Sequence, residues 1–234
     1  METFPYDHLV IDDFFPLDKA KKLSEEYPDY NSPVWFQYRN PLENKKTINT
    51  WWDFPPETYK TFCFLNSCEF LSSLQQTTLI ENLYPDIGLH GGGWHIHGRG
   101  GKLNIHLDYS IHPKSGLQRK LNLIIYLTEG WKPEWGGGLE LWSHNPEKNL
   151  PLRKEKTIHN VFNRAILFDT TQKSWHGLPE PLDCPKGVYR KSMAVYYMTD
   201  PPEHVDPRKR ALYAPTEDQK NNQEILKFIQ KRVR

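Results

Sequence analysis

Leu103-Asn104-Ile105-His106-Leu107-Asp108-Tyr109-Ser110-Ile111 is the stretch on which the reading of this chain turns. Apolar and polar residues alternate through it, as in a strand with one buried face. Residues two apart share a face, so His106 and Asp108 point together while Ile105, Leu107 and Tyr109 point away. One imidazole and one carboxylate converging from one strand fill two positions on a metal ion. A second histidine would complete the two-histidine, one-carboxylate set that holds non-haem iron(II) and leaves positions open.

Working outward, the chain from Leu103 to Thr199 breaks into further short strand-like runs. They are Leu121–Leu127, Gly138–Trp142, Ala165–Phe168 and Ser192–Met198. Turn-rich segments separate them, at Glu129–Gly138, Ser143–Asn149 and Leu178–Gly187. Short strands punctuated in this way predict a β-sandwich or barrel. Upstream, His8–Ile11 reads as a strand, and Pro16 opens a helix over Leu17–Tyr27 with Ala20, Leu23 and Tyr27 on one face. Residues 28–62 read as irregular, and a second helix is expected over Leu65–Leu83, stopped by Pro85. A C-terminal helix is expected after about Glu217, with Leu226, Ile229 and Val233 on its packing face.

Five downstream histidines compete for the second imidazole position: His112, His144, His159, His176 and His204. His176 follows the run Ile166-Leu167-Phe168-Asp169 and precedes Gly177, and Arg190 opens a strand in which Ser192 shares its face. An arginine near such a metal is what a dicarboxylate co-substrate requires, because the carboxylate left free after metal chelation takes a bidentate guanidinium. Arg190 and Ser192 therefore favour His176. A rival pair, His95 and His97, also shares a strand face, but the Gly98-Arg99-Gly100-Gly101 that follows offers no carboxylate. The triplets Gly91–Gly93 and Gly136–Gly138 lack the Lys-Ser/Thr of a phosphate loop and read as tight connections.

The bulk properties bound the alternatives. The chain has 234 residues, a hydrophobic fraction of 37% and an aromatic fraction of 13%, which suits one globular domain. A net charge of +1 gives no electrostatic case for nucleic acid or an anionic membrane as partner. Three cysteines without CxxC spacing suggest neither a disulfide framework nor a zinc knuckle. No run approaches the length of a membrane span, and the N-terminal residues lack a signal-peptide pattern, so a reducing, cytoplasmic setting is the expectation.

Three longer segments resemble a known family. They are His95–Pro113, Arg119–Trp142 and Phe162–Thr199, joined by Phe4–Pro16 and Leu83–Gly93. Together they resemble the prolyl 4-hydroxylase-like branch of the Fe(II)/2-oxoglutarate dioxygenase superfamily over residues 4–200. The resemblance implies a mainly β fold with flanking helices: a double-stranded β-helix, or jelly roll, with N-terminal helices and a helical C-terminal tail. It implies one domain over residues 1–200, with its core from about residue 88, and a tail over 201–234. His106, Asp108 and His176 match the iron ligands, Arg190 matches the grip on the distal carboxylate of 2-oxoglutarate, and Tyr126 matches a strand tyrosine on the same carboxylate. Retention of Asp108 argues against halogenation. Fe(II) as metal, 2-oxoglutarate as co-substrate and ascorbate as reductant follow from the resemblance. So does hydroxylation of a C–H bond with release of succinate and CO2. A prolyl residue of a protein or peptide is the first substrate expected, and a free amino acid or other small metabolite is the second. Trp94, Trp131, Trp135 and Trp142 are candidates to line a peptide groove. A non-catalytic binding module and a cupin-type isomerase built on His95 and His97 are the readings from other classes.

Overall fold

The alternation through Leu103–Ile111 forms a strand as far as Leu107, and that strand sits where a long antiparallel sheet turns on itself. The computed structural model describes residues 1–233. Its elements run β1 (His8–Ile11), α1 (Leu17–Glu25), β2 (Phe36–Asn40), β3 (Glu43–Ile48), α2 (Pro56–Leu65), α3 (Cys68–Thr78), β4 (Tyr84–Pro85), β5 (Gly93–His97) and β6 (Lys102–Leu107). They continue with β7 (Gln118–Tyr126), β8 (Leu139–Asn145), β9 (Leu150–Ile158), β10 (Ala165–Asp169), β11 (Trp175–Leu178), β12 (Arg190–Thr199), β13 (Leu212–Tyr213) and α4 (Gln223–Val233).

The main path of the sheet is β1-β10-β7-β12-β5-β3-β6-β11-β8-β9. β3 makes the corner: Lys46–Ile48 pair with β5, and Glu43–Asn44 pair with β6. The strip curls there, and its two halves share one interior. Strands adjacent in the sheet are mostly distant in sequence, β12 beside β5 and β11 beside β6. This is the jelly-roll architecture with flanking helices that the sequence predicts.

Both faces of β10 are covered, so it is apolar from Ala165 to Phe168 rather than alternating. In β10, Ala165 and Leu167 pack under the helices, while Ile166 and Phe168 face the interior with Tyr126, Leu139 and Leu141. α1 buries Ala20 and Leu23, α2 buries Phe62 and Leu65, and α3 buries Leu71 and Leu74, all against Leu123, Ile125, Val195 and Tyr197. The edge strand β9 carries Arg153, Lys154 and Glu155, charges that discourage pairing with another chain.

The helix expected over Leu65–Leu83 is two helices. The chain breaks at Asn66-Ser67, where the Ser67 hydroxyl accepts from the Phe70 amide and caps α3. α3 then stops at Leu79, which is left-handed with φ 58°. Residues 28–62, expected to be irregular, hold the β2–β3 hairpin and most of α2. The hairpin escaped detection because only the first and last residues of Glu-Asn-Lys-Lys-Thr-Ile are fully buried. Its turn is closed by the Asn40 side chain, which accepts from the amides of Leu42 and Glu43. α4 packs through Ile225, Phe228 and Ile229 on Leu42 and Tyr213, so its inner face lies one position from the expected Leu226. The side chain of Val233 lies outside the described residues. No helix among the described residues is long and apolar enough to cross a membrane.

Candidate active site

His106 on β6 and His176 on β11 are direct cross-strand partners. Their ring centroids lie 4.4 Å apart. Asp108 follows β6 immediately and completes the cluster, with one ligand atom from each of the three residues within 4.8 Å of the others. The carboxylate oxygens lie 3.7 Å from Nε2 of His106 and 3.8 Å from Nε2 of His176.

The opposite nitrogens fix the tautomers. Nδ1 of His106 lies 2.9 Å from the carbonyl of Asn104, and Nδ1 of His176 lies 2.8 Å from that of Ser174. A carbonyl only accepts, so each Nδ1 carries the proton and each Nε2 presents its lone pair inward. Two lone pairs and a carboxylate converge with no donor between them, which suits a divalent cation held on one face. All three side chains are buried.

Protonation is preset in the same sense. Burial pushes the His176 imidazole down to about 4, and the neighbouring His106 adds to that. Burial alone would raise the Asp108 carboxyl, but Arg119 and the two histidines outweigh it and hold Asp108 well below the usual carboxylate range. At neutral pH, His176 and Asp108 can therefore bind a metal without first releasing a proton.

Gly177 allows the close pairing of β11 with β6. A Cβ there would meet the carbonyl oxygens of Leu103 and Asn104 at 2.8 Å. The other competing histidines go elsewhere: His112 lies against Asp86, and His144 takes a hydrogen bond from the Trp175 indole.

Two residues around Asp108 were missed by sequence reasoning. Asn122 donates to Oδ2 at 3.2 Å, and Arg119 lies 3.2 Å from Oδ1. The Arg119 guanidinium is clamped between the rings of Tyr109 and Tyr196, 3.3 Å from each centroid, and donates to the His90 carbonyl at 2.7 Å. Asn122 could have been found by alternation, since it shares a face of β7 with Ile124 and Tyr126. Arg119 could not. The β7–β12 register jumps between Leu121 and Arg119, leaving Lys120 as an extra residue, and this bulge turns Arg119 toward the cavity.

Across the interior, β12 presents Arg190 and Ser192. Arg190 is 3% exposed, and its Nε donates to the Gly137 carbonyl at 2.8 Å. Its guanidinium carbon sits 4.9 Å from the Tyr126 ring centroid. Burial lowers its proton affinity, and only tyrosines, no carboxylate, stand close enough to oppose that. The second glycine triplet is explained here. Gly137 has φ 77°, and a Cβ would stand 3.0 Å from Cδ of Arg190.

Ser192 is paired across the sheet with His95 on one side and Tyr126 on the other, and His97 is paired with Arg190. The Tyr126 hydroxyl and both ring nitrogens of His97 are buried without a hydrogen-bond partner. A buried cation without a counter-ion, beside unpartnered polar atoms, is a site built for an anionic ligand. His95 and His97 belong to this side, away from the metal-ligand cluster, which is the one cluster of its kind among the described residues.

The metal-ligand cluster and Arg190, Ser192, His95 and His97 face one cavity of about 520 Å³, while Tyr126 lies behind its lining, buried with Leu141 and Phe168. The four tryptophans proposed for a groove do not line it. Trp94 is fully buried and stacks on Tyr27 beneath the helices, Trp131 and Trp135 pack near Leu182, and Trp142 packs on the outer face beside Trp175.

Residues 92–198 match the sequence model of the 2OG-Fe(II) oxygenase superfamily. That segment, which holds both groups of site residues, belongs to that superfamily. The metal of such an oxygenase is Fe(II) and its co-substrate is 2-oxoglutarate. The oxygenase is similar in fold to a Pseudomonas putida prolyl-4-hydroxylase, with a TM-score of 0.60 at 15% identity over 82% of this chain and 92% of that one. It is similar to a prolyl 4-hydroxylase from Phytophthora capsici, with a TM-score of 0.55 at 21% identity over 97% of this chain and 68% of that one. HygX from Streptomyces hygroscopicus, solved with nickel and 2-oxoglutarate, gives a TM-score of 0.54 at 14% identity over 82% of each chain. At these identities the likeness is one of fold. No curated protein sequence matches the oxygenase significantly.

Proposed function

We propose that this oxygenase hydroxylates an unactivated C–H bond, with His106, Asp108 and His176 holding Fe(II) and with Arg190, Ser192 and Tyr126 holding the distal carboxylate of 2-oxoglutarate. The observation that carries the reading is the convergence of two proton-free Nε2 atoms and one carboxylate, in the same cavity as a buried arginine that lacks a counter-ion. When bound, Fe(II) and 2-oxoglutarate supply O2 activation, with release of succinate and CO2 as one oxygen atom enters the substrate.

The chain supplies position and charge. Arg119 and Asn122 orient the Asp108 carboxylate and keep it ionised. The Gly137 carbonyl aims Arg190, and burial keeps His97 neutral beside it. The apolar walls Ile124, Leu139 and Leu178 limit water in the cavity.

A prolyl residue of a polypeptide is the first acceptor to test, in keeping with the prolyl-hydroxylase fold. A free small molecule is the second reading. It is favoured by Tyr213, Phe228 and Arg232, which line the cavity from the C-terminal segment, and by the like-folded HygX, solved with hygromycin B bound. The test is conversion of 2-oxoglutarate to succinate by the iron-loaded protein, with ascorbate as reductant. Asp108→Ala is expected to reduce it to the metal-free blank. Full iron-dependent turnover by that variant would sink the ligand assignment.

A further inference from the structure

The residues after 198 lie outside the segment that matches the family, yet they reach the metal ligands. β13 pairs with β6 so that Tyr213 stands opposite His106, and its ring stacks on the imidazole at 5.2 Å and 23°. The Arg208 guanidinium donates to the Asp108 carbonyl at 3.2 Å. Arg232 on α4 reaches back to the buried Glu43 at 3.0 Å, and Glu43 also meets Lys45 at 3.5 Å and the Tyr213 hydroxyl at 3.3 Å. These contacts build a wall over the metal-ligand cluster from two pieces, the β2–β3 hairpin and the C-terminal segment.

The wall is charged. Lys45, Lys209, Arg210 and Arg232 line the cavity there, against Glu43 as the one carboxylate among the described residues of the wall. Lys209 and Arg210 are exposed on one side. The deeper charges do not use up this excess. A divalent iron with Asp108 and a 2-oxoglutarate dianion carries one net negative charge, and Arg119 and Arg190 already exceed it. Three positive charges are left facing the space above the metal, in a cavity whose apolar walls concentrate their field.

We infer that the β2–β3 hairpin and residues 209–232 form the acceptor compartment, and that its cations select a small acceptor bearing a carboxylate or phosphate group. This rests on the hydroxylase reading of the site. Lys45 and Arg232 are already engaged by Glu43. Lys209 and Arg210 line the same cavity and make no ion pair among the described residues, so they are the cations left to take the anionic group of the acceptor.

The test is anaerobic titration of the iron-loaded protein with saturating 2-oxoglutarate, so that the Arg190 site is filled before any probe is added. The weak visible charge-transfer band of chelated 2-oxoglutarate is read first. Its absence would defeat the hydroxylase reading and leave no acceptor to discuss. With the band present, two matched pairs are titrated by calorimetry: glycerol 3-phosphate against glycerol, and N-acetyl-L-proline against N-acetyl-L-prolinamide. The inference expects at least one anion to bind about tenfold or more tightly than its neutral partner. The pair that responds tells phosphate from carboxylate.

The double variant Lys209→Gln/Arg210→Gln should lose most of that difference, and Lys209→Arg/Arg210→Lys should restore it. Equal binding within both pairs would overturn the inference. So would binding of a doubly capped proline-containing peptide in preference to either anion, or an anion affinity untouched by the glutamine variants.

Discussion

At the scale of single residues, the site depends on charges whose partners are few and specific. Arg190→Ala removes a buried cation that has no carboxylate partner. It should weaken 2-oxoglutarate binding by about 1.5–3 kcal/mol, the usual scale for hydrogen bonds to a charged group. Direct titration of the iron-loaded variant measures this, and unchanged affinity would move the anchor to another cation. Arg119→Met acts through Asp108. Burial favours the protonated carboxyl and Arg119 opposes it, so removing the guanidinium lets the carboxyl pKa rise. Metal affinity of that variant should then fall more steeply between pH 7 and pH 6 than in the wild type, as followed with Mn(II). Parallel pH profiles would mean that the histidines and Asn122 suffice to keep Asp108 ionised. His106 and Asp108 could be paired by strand alternation, because β6 ends only at Leu107 and Asp108 keeps to the side of His106. His176 needed Arg190 as a second clue, and Arg119 stayed hidden because a single extra residue breaks the period of two.

At the scale of elements, the sequence was clear where apolar residues repeat and silent where structure is held by side chains capping backbone. β1 and the start of α1 fall where the sequence predicts them. The break between α2 and α3 depends on the Ser67 hydroxyl, and the start of α2 depends on a residue far upstream. Pro55 precedes α2 and has no side chain that can cap. The carboxylate of Glu26, at the end of α1, accepts from the amides of Glu57 and Thr58 at 3.1 and 2.7 Å instead. A cap supplied across thirty residues of sequence has no local signature. Glu26→Ala should cost about 1–2 kcal/mol in urea unfolding, the scale of a lost helix cap aided by the helix dipole. A midpoint equal to wild type would show that water replaces the carboxylate at no cost. The β2–β3 hairpin was missed for a related reason, since its polar strand is half-covered and its turn is closed by the Asn40 side chain.

At the scale of the whole molecule, the interior holds imidazoles that must stay neutral. Burial pushes His95 down to about 3 and His176 down to about 4, against an ordinary value of 6.5 in the unfolded chain. The unfolded state therefore binds more protons than the folded state once the pH drops below about 6.5. The stability these groups contribute is complete above that pH and is lost progressively down to about 4 for His176 and about 3 for His95. The metal-free protein should unfold at a lower urea concentration at pH 5 than at pH 7, with His176 alone worth on the order of 1–2 kcal/mol. A midpoint that held or rose at pH 5 would mean that the folded interior accepts the protons. The jelly roll itself was legible because its strands are short, apolar and regularly interrupted. The C-terminal contribution was not, since β13 is two residues long and its pairing with β6 depends on contacts from elsewhere in the chain.

The cross-strand pairing of His106 with His176 ties the two halves of the cluster together across seventy residues of chain. A pair so separated comes together only when β6 and β11 have closed, because the long intervening loop must be ordered first. The unfolded chain then has no preformed seat for a divalent ion, and whatever binds the cluster binds the folded state alone. By mass action the ion becomes a partner in folding. Each tenfold rise in its free concentration above the dissociation constant deepens the native well by about 1.4 kcal/mol. The amount of folded protein a cell maintains would then follow its supply of iron as well as the sequence of the chain.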